Sequence, residues 1–334
     1  MSVAAAASGA KRKRPSFPVT PSDSPAKRRA QSEHAAVAAA ADSPTLVAVE
    51  GDWVIPMQAP REAGQFLDIT LFVCGRKIQT HKAVLVGLSP YLAGLLTSGL
   101  AESTETGHEM VVGDESTDGR AVKAIVDLMY SGKLSLSAST VSSMIRTANL
   151  LQVGAAEKAA CDFFVESLEP STACDALSFA ASFAECGVHA RELQARCIGY
   201  AVDHFAKCSE ESSFVELPCE SVEELIGSDD VDVKEEAVVA AVRSWFEHDA
   251  AERASALKSL VPLIRWPLMP VETQLSLWEE PLLQRMMAQD ADCCGLGSRL
   301  LTECNAGFAE SDAATACPRL KRRKGSVVPV PPLA

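Results

Sequence analysis

Residues 67–82 read Leu-Asp-Ile-Thr-Leu-Phe-Val-Cys-Gly-Arg-Lys-Ile-Gln-Thr-His-Lys, and this stretch decides the fold. Ile69, Leu71 and Val73 lie at every second position, which is the spacing of a strand with one buried face. Cys74 and Gly75 supply a two-residue turn, and residues 76–81 are predicted to return as a second strand. The sequence therefore predicts that ordered structure begins with a β-hairpin at residue 68.

The residues that follow the hairpin are mostly helical in pattern. A helix is predicted over about residues 82–97, and Pro90 should divide it into two pieces because proline lacks a backbone donor. Residues 109–113 are one further strand candidate, and apolar stripes with helical spacing follow from residue 118 onward. Beyond Pro170 strand signals are scarce. The pattern predicts an α/β domain over residues 64–168 and an all-α domain over residues 169–290.

The composition of the chain limits the classes of function. Of the 334 residues 47% are hydrophobic, which is typical of a chain that forms a core. Residues 61–316 hold 19 basic and 39 acidic side chains, a net charge of −20 that argues against nucleic-acid binding by the folded body. No apolar run approaches the roughly 18 residues of a membrane span, so we expect no membrane partner. Residues 1–63 and 291–334, with their alanine, Ser-Pro and basic runs, are predicted to be disordered tails.

The motifs of the first predicted domain resemble those of a BTB/POZ domain. The matching segments are Leu67–Val73, Gly75–Leu85, Leu88–Tyr91, Thr97–Ser103, Leu128–Gly132 and Ala148–Gln152. The second domain resembles the BACK domain that follows BTB in kelch-like proteins. Its matching segments are His204-Phe205, Ser213–Leu217, Leu225–Asp230, Val239–Trp245, His248-Asp249 and Ile264–Leu268. The glycine-rich kelch repeats of about 50 residues are absent from this sequence.

The resemblance implies a small sheet with surrounding helices, followed by a helical BACK domain. It also implies a function, namely a homodimeric, substrate-specific adaptor of a cullin-3 RING ubiquitin ligase, with a protein substrate that the sequence does not identify. Such an adaptor is not an enzyme and needs no cofactor, and the sequence lacks GxSxG, P-loop, GxGxxG and HExxH motifs. The alternative is a nuclear BTB scaffold or transcriptional co-regulator without ligase function, which the basic termini and the missing repeats favour.

The resemblance also points to individual residues. It places Leu100 and Glu102 at the contact with cullin-3, where leucine would enter an apolar groove and the carboxylate would meet free backbone donors of a helix. Tyr130 is a weaker member of the same surface, and the alternative for it is a core residue. Asp68 and Lys82 match a charged pair near the BTB dimer interface. For Asp68 the alternative is an exposed charge at the edge of a strand.

Basic runs occur in both predicted tails. Two of them are separated by 12 residues, as in a bipartite nuclear-import signal, and the third resembles a monopartite signal. The runs are Lys11, Arg12, Lys13, Arg14; Lys27, Arg28, Arg29; and Lys321, Arg322, Arg323, Lys324. They predict binding to importin and a nuclear location, with a cytoplasmic pool as well; the alternatives are contact with polyanions and a solubilising tail. Phosphorylation of Thr20 or Ser24 would offset the nearby positive charge, so it is a hypothesis for tuning import.

The chain has 11 cysteines, and they form no CxxC pair. Cys186, Cys197, Cys208 and Cys219 recur every 11 residues, but the histidines lack the clustered spacing of a zinc site. We therefore expect no metal and predict reduced core thiols. The adjacent pair at residues 293–294 is a candidate for redox activity because it falls in the predicted tail.

Overall fold

The computed structural model describes residues 44–49, 57–97 and 109–270, together with residues 273 and 276. The described residues all belong to one compact unit. The basic runs, Thr20, Ser24 and the cysteines at 293–294 lie outside the described residues. The same holds for Leu100 and Glu102, which fall between residues 97 and 109.

The first domain combines two small sheets with helices. Its elements are β1 Thr45–Ala48, α1 Gln58–Glu62, β2 Ile69–Val73, β3 Arg76–Thr80, α2 Lys82–Leu88, α3 Pro90–Thr97, β4 Glu109–Val111, α4 Gly119–Ser131, β5 Lys133–Leu136, α5 Val141–Leu150 and α6 Gly154–Glu166. One sheet has the order β3-β2-β4, with β2 antiparallel to β3 and parallel to β4. The other pairs β1 with β5 in antiparallel register, so that Thr45 faces Leu136.

The predicted hairpin at residue 68 is confirmed. Ile69, Leu71 and Val73 are at most 4% exposed, so the alternating positions form the buried face of β2. Cys74 and Gly75 have φ values of 43° and 76°, and two successive residues with positive φ suit the right-handed twist of a tight hairpin. The helical stretch that follows is divided as predicted, because α2 ends at Leu88 and α3 begins at Pro90.

Helix α4 carries the core of the first domain. Asp118 caps its start, because the side-chain carboxylate accepts a hydrogen bond of 2.8 Å from the Arg120 backbone N–H. Gly132 ends it with a φ of 67°, a left-handed conformation that costs glycine little. Along one face, Val122, Ile125, Val126 and Met129 are completely buried. The predicted helix and its apolar stripe are thus both confirmed.

The second domain is all helical over its described residues. Its helices are α7 Pro170–Phe183, α8 Val188–Asp203, α9 Phe205–Cys208, α10 Cys219–Gly227, α11 Glu235–His248 and α12 Leu257–Leu260, with 3-10 turns after α7, α9, α11 and α12. Trp245 on α11 is 2% exposed, and its indole N–H donates to the Leu217 carbonyl at 2.8 Å. None of the helices in the described part of the chain has the length and apolar character to cross a membrane.

Two segments correct the prediction that residues 1–63 are disordered. Residues 45–48 form strand β1 and residues 58–62 form helix α1. Val47 and Val49 are partly buried against the core, and the strand gains its hydrogen bonds from β5. Because β5 lies almost 90 residues further along the chain, the local pattern around residue 45 gives no sign of this pairing.

Candidate protein-interaction surfaces

Asp68 and Lys82, predicted at a dimer interface, lie side by side. A carboxylate oxygen of Asp68 accepts a hydrogen bond of 2.7 Å from the Lys82 backbone N–H. Lys82 is the first residue of α2, where backbone N–H groups lack partners within the helix and a negative charge is favourable. Asp68 therefore ties the start of β2 to the start of α2. The role of the two residues in a dimer stays a prediction.

Next to this contact lies an apolar surface. Between Ala83 and Thr97 the sequence has no charged side chain. The exposed nonpolar residues of this stretch form what we call the α2–α3 surface, namely Ala83, Val86, Gly87, Pro90 and Gly94. A Cβ atom added to either glycine would meet nothing within 4 Å. Exposed apolar area of this kind commonly marks a protein-interaction site.

Phe66, just before β2, is a second exposed apolar group. It is 79% exposed, and its φ of 59° is unusual for a bulky residue. Neither Phe66 nor the α2–α3 surface was predicted from the sequence. The run of uncharged residues after Lys82 was the available signal for the surface, whereas the exposure of Phe66 depends on the folded backbone.

Tyr130 is a core residue, which corrects its assignment to a cullin-binding surface. It is 2% exposed. Its hydroxyl lies 2.8 Å from the Thr80 hydroxyl, 2.7 Å from His81 Nδ1, and 3.0 Å from the His81 backbone N–H, which donates to it. His81 is 4% exposed and Thr80 is completely buried. A hydroxyl with three buried protein partners has no direct access to another chain.

A polar cleft of about 600 Å³ lies between α1, β3 and α4. The Arg61 guanidinium covers the Tyr130 ring at 4.5 Å and forms an ion pair of 2.8 Å with Asp127. Asp127 also contacts Lys123 at 2.6 Å. Three of the four charged side chains that line the cleft are therefore paired with one another, and the Arg61–Asp127 ion pair holds α1 against α4.

The two domains pack against each other through α5, α6 and α8. The Asn149 side-chain amide donates to the Cys186 carbonyl at 3.1 Å and to the Glu157 carboxylate at 3.4 Å. Arg196 of α8 pairs with Asp162 of α6 at 2.5 Å. The Arg196–Asp162 ion pair and the hydrogen bond to Glu157 are partly buried, whereas the hydrogen bond to Cys186 is exposed. Together these contacts join the last helices of the first domain and the first helices of the second into a continuous body.

The cysteines of the described part of the chain are free thiols. The four that recur every 11 residues do not converge, and no group of three or more His, Cys, Asp or Glu residues there could hold a metal ion. Burial raises the pKa of Cys197 to about 12, and burial raises the pKa of Cys219 to about 11 with the help of the Glu223 carboxylate. Both remain protonated at neutral pH. The prediction of core thiols is confirmed for the buried Cys161, Cys174, Cys197 and Cys208, and it is wrong for the exposed Cys74 and Cys186.

Most of the described residues match two known protein families. Residues 57–168 match the family described as BTB/POZ domain, and residues 176–279 match the family described as "BACK: BTB And C-terminal Kelch". The chain is a BTB–BACK protein. These matches confirm the predicted fold class. BTB domains commonly dimerise.

Kelch-like proteins are among the relatives of this BTB–BACK chain. It is 30% identical to human Kelch-like protein 17 over 219 residues, which are 65% of this chain and 33% of that protein. It is 31% identical to human Kelch-like protein 28 over 220 residues, or 66% and 37% of the two chains. Mouse Kelch-like protein 1 is 30% identical over 230 residues, or 69% and 29%. The chain therefore spans about a third of the length of the relatives it matches, and these 334 residues contain no kelch repeats.

Proposed function

We propose that the protein is a non-catalytic, substrate-specific adaptor of a cullin-3 RING ubiquitin ligase. The observation that carries the proposal is a BTB domain joined to a BACK domain as one continuous body. Such a body could hold a cullin at one end and present a substrate at a fixed distance from it. The adaptor would raise the effective concentration of substrate beside the ubiquitin-loaded enzyme without performing bond chemistry itself.

The proposal includes a homodimer. The α2–α3 surface and the exposed Phe66 are the features that a second copy would cover, and Asp68 and Lys82 lie at the same end of α2. Burial of apolar area at about 25 cal/mol per Å² supplies the driving force for such an interface. A dimer also has two copies of each binding site. It would therefore hold two cullins and bind a substrate with avidity.

Direct binding to cullin-3 tests the proposal. The full chain and its Leu100→Ala/Glu102→Ala variant are titrated with the purified N-terminal domain of cullin-3. If these residues are interface hot spots, the double variant loses about 2 kcal/mol of binding free energy, so its dissociation constant is roughly 30-fold larger. Glu105→Ala is the matched control, because it removes a carboxylate from the same segment, and it should bind as the wild type does.

The outcomes separate the site from the function. Unchanged binding by the double variant would remove Leu100 and Glu102 from the interface while leaving the adaptor function in place. A wild-type chain that does not bind cullin-3 at all would refute the adaptor function itself.

A second candidate function is a nuclear scaffold or transcriptional co-regulator. The basic runs at residues 11–14, 27–29 and 321–324 favour it, since they are typical of importin-bound segments. Purification of the protein from cells distinguishes the two functions. Near-stoichiometric cullin-3 supports the adaptor, whereas chromatin-associated partners without cullin-3 support the scaffold.

A further inference from the structure

Two thiols of the BACK domain meet between helices α7 and α9. Each donates a hydrogen bond to the backbone of the other's helix: Cys174 Sγ lies 3.7 Å from the Cys208 carbonyl, and Cys208 Sγ lies 3.7 Å from the Pro170 carbonyl. Both side chains are only 1% exposed. Each sulfur atom therefore lies against the backbone of the helix that carries the other, in one buried site.

The electrostatics of this pair differ from those of other buried thiols. Burial raises the pKa of Cys161 and of Cys197 to about 12, so each stays a neutral thiol. At Cys208 the hydrogen bond from Cys174 outweighs burial and lowers the pKa, while the same hydrogen bond raises the pKa of Cys174. Of the two thiols, Cys208 is therefore the one that loses its proton more easily and the better attacking sulfur.

We propose that Cys174 and Cys208 form a reversible disulfide when the protein meets a peroxide. In the first step the Cys208 thiolate attacks a peroxide oxygen, the O–O bond breaks, and Cys208 becomes a sulfenic acid as hydroxide leaves and takes up the proton released by the thiol. In the second step Cys174 attacks the sulfenic sulfur, the S–S bond forms and water leaves. Two thiols and one hydrogen peroxide give one disulfide and two waters, so that two electrons pass from sulfur to oxygen.

The structure around the two cysteines allows an oxidant to reach them and gives the disulfide a measurable effect on stability. Helix α9 has only four residues and is followed by the exposed Glu210 and Ser212, so a local opening of one helical turn would admit a small oxidant. The disulfide would link residues 34 positions apart and fasten α7 to α9 across α8. Because a cross-link restricts the unfolded chain, oxidation should raise the melting temperature of the BACK domain. The proposal does not depend on the cullin-3 function.

Peptide mapping of the full chain tests the proposed disulfide. The reduced protein is treated with hydrogen peroxide, free thiols are blocked with N-ethylmaleimide, and the protein is digested with trypsin and Glu-C without reduction. Cleavage isolates Cys174 in residues 167–185 and Cys208 in residues 208–210, and each peptide contains a single cysteine. We expect a linked species whose mass is two hydrogens below the sum of the two peptides, and its loss on treatment with dithiothreitol.

Variants provide the controls. Cys174→Ala and Cys208→Ala should each abolish the linked species and the rise in melting temperature, whereas Cys161→Ala should keep both because it removes a buried thiol outside the pair. If either pair variant fails to fold, the mapping of the wild-type protein still decides. Cys208 recovered as an unlinked sulfinic acid, or both cysteines recovered as blocked thiols under conditions that oxidise the exposed Cys74 and Cys186, would overturn the proposal.

Discussion

Replacing Tyr130 with phenylalanine removes one hydroxyl that serves three buried groups. The His81 backbone N–H would lose its acceptor, and the Thr80 hydroxyl and the His81 ring would each lose a partner. A buried polar group left without a partner costs about 1–3 kcal/mol, and we expect a total loss of about 3 kcal/mol because three groups are affected. The ring itself stays, so the Arg61 guanidinium keeps its aromatic contact.

Tyr200→Phe is the matched control for this prediction. The Tyr200 hydroxyl makes a single hydrogen bond of 3.0 Å to the Leu168 carbonyl, at a half-buried site where water can replace it. We expect its loss to cost about 1 kcal/mol or less. The two variants thus make the same chemical change at two sites that differ in burial and in the number of partners.

Thermal unfolding of the full chain measures the difference. For a folded region of this size 1 kcal/mol corresponds to roughly 2–4 °C, so Tyr130→Phe should lower the melting temperature by roughly 9 °C and Tyr200→Phe by roughly 3 °C. Circular dichroism before heating would show that both variants fold. Equal shifts, or a larger shift for Tyr200→Phe, would refute the inference that the Tyr130 hydroxyl holds a buried network together.

Two further predictions concern the proposed dimer and a helix cap. Val86→Glu places a charge on the α2–α3 surface, so light scattering should report half the wild-type mass, whereas Val188→Glu, at a 72% exposed valine of the BACK domain, should leave the mass unchanged. A monomeric wild type would contradict the homodimer. Asp118→Ala removes the cap of α4 and should cost about 1 kcal/mol at pH 7, and Asp118→Asn should lose less because asparagine also caps. Burial raises the pKa of Asp118, but the hydrogen bonds from the Arg120 and Ala121 backbone and the Ser143 hydroxyl outweigh it and lower the pKa below 3.8. The stability contributed by the carboxylate is therefore present above pH 4 and lost as the pH falls through the lowered value, and a cost of Asp118→Ala that is unchanged in acid would contradict this.

Local patterns predicted the elements whose stability is local. The alternation of Ile69, Leu71 and Val73 indicated a strand because one face of β2 is buried, and the apolar stripes with helical spacing were predicted from residue 118, next to the first residue of α4. Such sequence patterns extend over only a few residues. They are therefore visible in the sequence before any tertiary contact is known.

The features that the sequence did not reveal depend on distant partners. Strand β1 gains its partner β5 from the far end of the domain, so residues 45–48 look like part of a tail. Tyr130 is buried by residues 50 positions away, and Cys174 meets a thiol 34 positions away. In both cases the residue type suits several environments, and only the packing of helices and strands selects one of them.

The buried hydrogen bonds of Tyr130 and the α2–α3 surface meet at the start of α2. A helix start leaves backbone N–H groups without partners inside the helix. Here Asp68, from the strand side, accepts the Lys82 N–H, and Tyr130, from α4, accepts the His81 N–H. Two side chains from different elements thus fix the position and direction of a helix whose next turns carry Val86 and Gly87. Because an apolar surface binds a partner well only when its backbone is held in place, Tyr130→Phe should weaken self-association at temperatures where the variant is still folded, even though the hydroxyl it removes never reaches the surface.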